Sequence, residues 1–157
     1  MPYELNTELE LNRCVDDVFT FFADAGNLDL ITPPWLRFEI LTPLPIDMRK
    51  GAIIEYQIRL HGISVRWKTQ ILVWDPPHRF VDEQIRGPYR LWVHKHTFEQ
   101  KGGLTVVRDH VDYDLRCGFI AHRLFVKRDL DRIFTYRRNK LLEAFKGQTA
   151  DSQRWPS

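Results

Sequence analysis

Apolar and polar residues alternate through most of the chain, and the period changes only near its two ends. Tyr3 to Leu11 places Tyr3, Leu5, Thr7, Leu9 and Leu11 on one face, which predicts a strand. Ala52 to Leu60 sets Ile54, Tyr56, Ile58 and Leu60 against Ile53, Glu55, Gln57 and Arg59. Ile63 to Trp74 repeats the pattern, with Ile63, Val65, Trp67, Thr69, Ile71 and Val73 on the expected inner face. Phe80 to Arg86, Trp92 to Phe98 and Leu104 to Leu115 read as further strands. His61-Gly62, Asp75-Pro-Pro77, Gly87-Pro88 and Lys101-Gly-Gly103 separate these runs as turns. Successive hairpins of this kind predict an antiparallel sheet.

Two other periods frame the sheet. Val15, Val18, Phe19 and Phe22 fall at helical spacing, and Leu28 to Ile31 predicts a second short turn of helix. Pro33-Pro34 then lead into an extended segment, Trp35 to Leu41. From Phe119 to Phe145 there is neither Pro nor Gly, and Phe119, Val126, Leu130, Ile133, Phe134, Leu141 and Phe145 mark one long amphipathic helix. Gly147 is its expected stop. The economical packing is an α+β domain: a curved antiparallel seven-stranded sheet around a long C-terminal helix, with two short helices after the first strand. One helix cannot fill the concave side of such a sheet, so a pocket is expected. The domain spans 1–147 on this reading, and 148–157 is a polar, flexible tail.

Composition narrows the function classes. A net charge of +2 gives no reason to expect nucleic acid as a partner, and 13% aromatic residues suit a bulky core or an apolar pocket. The charge is uneven: Phe119 to Ser157 carries nine Lys or Arg against four Asp or Glu. That pattern suits a solvated helix face, and it also admits peripheral contact with an anionic membrane surface. Cys14 and Cys117 lack CxxC spacing, which argues against a disulfide scaffold or zinc ribbon and fits a reducing compartment. If the first and last strands pair, the two thiols follow ends that point opposite ways, so no disulfide is expected. No secretory signal or membrane-spanning run is visible, and the expected location is the cytoplasm.

Several motifs carry a family resemblance. They are Asn27 to Trp35, Gly51, Trp67, Trp74-Asp-Pro-Pro77, Phe80-Val-Asp82 with Gln84, and Gly87-Pro-Tyr89. The Trp92/His94/His96/Phe98 strand, Asp109-x-Val111-x-Tyr113, Ile133-Phe134 and Tyr136-Arg137 complete the set. Over nearly its whole length the chain resembles the SRPBCC group, also described as START-like or polyketide cyclase/dehydrase-like, with the helix-grip fold. It departs from the group's pattern after the seventh strand, where Leu115-Arg116-Cys117-Gly118 stands in place of the usual proline. The resemblance implies a deep hydrophobic cavity between sheet and helix. It leaves activity open, because this fold hosts carriers, receptors, cyclases and hydrolases.

The candidate chemistry follows from strand phase. Trp92, His94, His96 and Phe98 share a face, and imidazoles among aromatic rings on a buried face suggest the wall of a cavity. The phase that buries Phe80 also carries Asp82 and Gln84; the phase that buries Val107 and Val111 carries Asp109 and Tyr113. Together with Tyr56 and Trp67, these nine polar and aromatic positions from Tyr56 to Tyr113 form the expected ligand-binding set: Tyr56, Trp67, Asp82, Gln84, Trp92, His94, His96, Asp109 and Tyr113. Four readings fit them. They can form a buried network that only satisfies its own polar groups. They can anchor one end of a small hydrophobic or amphipathic ligand. A His–Asp pair can supply acid–base chemistry of the cyclase or dehydratase kind. His94-x-His96 with Asp82 or Asp109 can ligate a metal, although that spacing alone is a weak signal, so no metal or cofactor is expected. His110 falls in the solvent-facing phase, and His61, His78 and His122 fall in turns or at the helix start without visible partners.

Overall fold

The strand that carries both histidines lies third in a seven-stranded sheet whose order is β1-β7-β6-β5-β4-β3-β2, every neighbouring pair antiparallel. The strands are β1 (Tyr3–Leu11), β2 (Glu39–Ile40), β3 (Ile53–Leu60), β4 (Ile63–Asp75), β5 (Arg79–Arg86), β6 (Tyr89–Lys101) and β7 (Leu104–Leu115). The structure, a computed structural model, describes residues 2–116 and 122–146. Cys117, Phe119, the Gly147 stop and the 148–157 tail therefore lie outside the described residues. Cys14 is exposed with a free thiol.

The hairpins follow the local chemistry. His61 and Gly62 both take positive φ (48° and 82°), the pairing a two-residue type I′ connection demands between β3 and β4. Between β5 and β6, Gln84 Nε2 donates to the Tyr89 carbonyl (2.8 Å) and Tyr89 N–H donates to Gln84 Oε1 (3.3 Å). A Cβ at Gly87 would lie 2.4 Å from that same Oε1, so a side chain there would displace the Gln84 amide from this clamp. Gln84, one of the expected ligand-binding residues, clamps this hairpin with its amide and is not among the side chains that line the cavity.

Two segments differ from the alternation as read along the chain. Ile63 sits at a hairpin tip, 69% exposed, and not on the inner face. A bulge between Ile71 and Val73 shifts the phase of β4, so Trp74, opposite Phe80, turns inward in place of Val73. The stretch after the tandem prolines is also not extended throughout. Pro34–Leu36 forms a 3₁₀ turn, since proline at the first helical position is preset for helical φ, and β2 is reduced to two residues.

Helix α1 (Val15–Ala23) and the 3₁₀ segment Ala25–Ile31 follow β1, as the spacing predicts. The long helix α2 runs from Lys127 to Ala144 and is preceded by a π turn, His122–Val126. Its apolar stripe packs on the sheet in two places. Leu130 and Phe134 meet Trp67, Trp92, Val111 and Tyr113, whereas Leu141 and Phe145 join α1 and the Phe19, Phe80 and Phe98 rings. The gap between these two clusters is the cavity. No described helix is long and apolar enough to cross a membrane.

Candidate functional site

The β5–β6–β7 register sets the polar wall of that cavity. Asp82 on β5 pairs across from His94, and Asp109 on β7 pairs across from His96. All four side chains share one face, so diagonal neighbours also come within reach. His96 Nε2 is 3.0 Å from Asp82 Oδ2, and His96 Nδ1 is 3.0 Å from Asp109 Oδ1. His94 Nε2 is 2.8 Å from the same Asp109 Oδ1. The two imidazoles stack on each other with centroids 3.7 Å apart, and His96 stacks in turn on Phe80 at 4.0 Å.

The network extends beyond these four residues. Thr7 on β1 donates its hydroxyl hydrogen to Asp109 Oδ2 (3.2 Å), and the Thr69 hydroxyl on β4 is 3.3 Å from Asp82 Oδ1. Arg137 on α2 brings Nη2 to 3.4 Å from Asp109 Oδ1, with its guanidinium over the rings of Phe22 and Phe134. Arg137 was not among the expected site residues. Its signal was readable all the same: Leu130, Phe134, Arg137 and Leu141 share one helical stripe, and an arginine inside an apolar stripe needs a buried partner.

The electrostatics follow from burial and pairing. Burial, with the charge of His96 beside it, pushes the His94 imidazole down to about 4. Burial also opposes charge on His96, but hydrogen bonds to Asp109 and Asp82 outweigh it and raise that imidazole above its ordinary value. Asp109 is held well below the usual carboxylate range, because Arg137 and the two histidines overcome its desolvation. Asp82 is lowered in the same way, chiefly through His96. The wall therefore sets two carboxylates against the Arg137 guanidinium and a His96 imidazole whose pairing favours its charged form, with His94 neutral at pH 7. Since a carboxylate only accepts, His94 donates Nε2–H to Asp109 and keeps Nδ1 as its free acceptor. Burial and the charge of Asp82 keep the Tyr56 phenol well above its ordinary pKa, so it stays protonated.

The cavity has a volume of about 200 Å³ and is mostly apolar. Tyr56, Trp67, Asp82, Trp92, His94 and His96 line it, as does Arg137. Trp67 stacks on Tyr56 (5.8 Å, 15°) and meets Trp92 edge-on (5.2 Å, 89°), which makes a rigid aromatic end opposite the apolar α1 side. Asp109 and Tyr113 are buried but do not line this space. Asp109 stands behind the imidazoles, and Tyr113 packs against Tyr3, Tyr89 and Trp92. Arg137 Nε is buried and has no hydrogen-bond partner among the described residues. Of the other histidines, His110 is partly exposed and bonds Asn6 Oδ1 through Nδ1, whereas His61 does have a partner: its Nε2 lies 2.6 Å from Asp129 Oδ2 on α2.

The comparisons agree with this architecture. Among solved structures, protein CV1439 from Chromobacterium violaceum superposes with a TM-score of 0.74 at 12% identity, covering 94% of this chain and 100% of its own. The Zhui aromatase/cyclase from Streptomyces sp. R1128 gives 0.73 at 15% identity, with 93% and 94% covered. Ginseng major latex-like protein 151 from Panax ginseng gives 0.65 at 10% identity, with 93% and 99% covered. At these identities the likeness is one of fold. No curated protein matches the chain in sequence. The family model described as "Polyketide cyclase / dehydrase and lipid transport" matches residues 11–146, so the chain belongs to that family within the SRPBCC superfamily.

Proposed function

We propose that the protein binds a small, largely apolar molecule in the cavity between sheet and α2, oriented by one oxygen at the polar wall. The observation that carries this reading is the partition of the cavity: aromatic and aliphatic over most of its surface, with Asp82, His94, His96 and Arg137 converging at one side. Apolar pockets with a few convergent polar groups are the usual form of small-molecule sites. A volume near 200 Å³ falls below the roughly 300–1,000 Å³ of drug-sized pockets, which favours a compact mono- or bicyclic molecule over a long lipid. Because the wall already carries the carboxylates of Asp82 and Asp109, a neutral hydroxyl or carbonyl suits it better than a third carboxylate. Arg137 Nε supplies a buried donor with no acceptor among the described residues.

Calorimetry with 2-naphthol tests this directly. One molecule should bind per chain with a negative heat-capacity change. Naphthalene, which lacks the hydroxyl, should bind about tenfold more weakly, in line with a hydrogen bond to a charged group. Equal affinity for the two would remove the polar anchor, and no binding of either would remove the reading.

A second reading is enzymatic: a cyclase or dehydratase using the same wall. It is favoured by the combination of the His94 acceptor nitrogen, fixed by Asp109, with the Arg137 donor at the same wall of the cavity. Under that reading His94→Gln abolishes turnover of an enolisable aromatic ketone while 2-naphthol binding persists.

A further inference from the structure

One oxygen of Asp109 holds both histidines. Its Oδ1 is 2.8 Å from His94 Nε2 and 3.0 Å from His96 Nδ1. With those N–H groups committed to Asp109, the nitrogens left to act as lone-pair donors are Nδ1 of His94 and Nε2 of His96. The latter is already 3.0 Å from Asp82 Oδ2. Asp82, His94 and His96 each offer one ligand-type atom, and these atoms all lie within 4.8 Å of one another. We propose that Asp82, His94 and His96 form a binding site for one divalent transition-metal ion on the cavity wall, with Asp109 orienting both imidazoles from behind.

Three features support the assignment beyond the two-residue spacing of the histidines. First, the donor set is two imidazoles and one carboxylate, which suits zinc, cobalt or ferrous iron; magnesium and calcium prefer all-oxygen shells. Metal–ligand bonds of about 2.0–2.1 Å place tetrahedral ligand atoms roughly 3.3 Å apart. The His96–Asp82 separation of 3.0 Å is near that value, and the third ligand atom lies within 4.8 Å of both. Second, the supporting shell is complete. Metal-bound histidines characteristically donate their other N–H to a carboxylate, and that carboxylate is itself held. Asp109 is held by Arg137 and Thr7, and Thr69 lies against Asp82. Third, Asp82, His94 and His96 all line the cavity, so three protein ligands leave a coordination position for water or a ligand oxygen. On binding, the ion takes the place of the proton that His96 shares with Asp82, and that proton passes to solvent. The site does not depend on the organic ligand proposed above, but an oxygen of such a ligand would complete its shell.

Cobalt(II) titration of the full chain tests the proposal. One ion should bind per chain, with visible absorption bands of a four- or five-coordinate site. In imidazole-detected NMR the His94 and His96 signals should show the large paramagnetic shifts, and Asp82→Asn should weaken binding at least tenfold. His61 with Asp129 and His110 with Asp112 are the competing surface pairs. Absence of stoichiometric binding at millimolar cobalt, or shifts confined to His61 or His110, would overturn the site. If Asp82→Asn does not fold, the wild-type NMR pattern alone decides. Repeating the 2-naphthol titration with a chelator present separates the two proposals, since loss of the metal site leaves that binding intact.

Discussion

Replacing Asp109 by alanine is expected to destabilise the fold by about 3–5 kcal/mol, the usual cost of leaving one partner of a buried ion pair unmatched. Asp109 is 7% exposed and is the common acceptor for His94, His96, Arg137 and Thr7. Without it, the Arg137 guanidinium remains against Phe22 and Phe134 with no counter-charge on that side. In a domain of this size the loss corresponds to a fall in Tm of roughly 10 °C. Adding Arg137→Met should restore part of it, because removing both charges together avoids the unmatched cation. Thermal melts of the two single variants and the double variant check this. An Asp109→Ala protein that melts within about 2 °C of the wild type would show that the network does not hold the sheet to the helix.

Acidification of the metal-free protein is expected to produce the second large effect. The folded value of His94, about 4, lies below its ordinary 6.5, so folding favours the neutral ring. Its contribution is fully present above pH 6.5 and is lost as pH falls from 6.5 toward 4, to a total of about 3 kcal/mol. His96 behaves in the opposite sense: its raised value contributes stability that persists below its ordinary pKa and fades only as pH rises through the folded value. The lowered carboxylates of Asp82 and Asp109 contribute above the ordinary carboxylate range, and that contribution is lost only at still lower pH. Between pH 6.5 and 4.5, then, the loss belongs mainly to His94. Urea unfolding with a chelator present should show a falling midpoint across this window, and His94→Gln should flatten it. A wild-type midpoint that stays constant would contradict the assignment of a buried neutral His94.

Much of this arrangement is legible in the sequence. The two-residue period put His94, His96, Asp82 and Asp109 on inward phases, and all four meet in one network. The order of hairpins and the helical stripe at the end predicted the α+β fold, and the family resemblance predicted the cavity. Where residues lie elsewhere than their phase suggests, the reasons are identifiable. Gln84 has the right phase, but its long amide reaches the Tyr89 backbone in its own hairpin before it reaches the cavity. Asp109 and Tyr113 are buried at positions where other side chains stand between them and the cavity, a depth relation that alternation alone does not encode. The bulge that turns Trp74 inward depends on how β5 pairs with β4, so no property of β4 alone announces it. Arg137 could have been found from its place between Phe134 and Leu141 on the helical stripe. It needed the question of what a buried guanidinium would face.

The basic, aromatic surface of α2 offers the main competing location for a ligand. Trp35 lies under Arg132 and against Tyr136 beside a shallow cleft on that face. The cavity and this cleft are separated by one measurement: NMR of protein labelled at histidine and tryptophan side chains, titrated with 2-naphthol. Binding in the cavity predicts that the His94 and His96 imidazoles and the Trp67 and Trp92 indoles shift together and saturate at one equivalent, with Trp35 and His61 unmoved. Shifts confined to Trp35, with the four cavity side chains unchanged, would contradict the central claim.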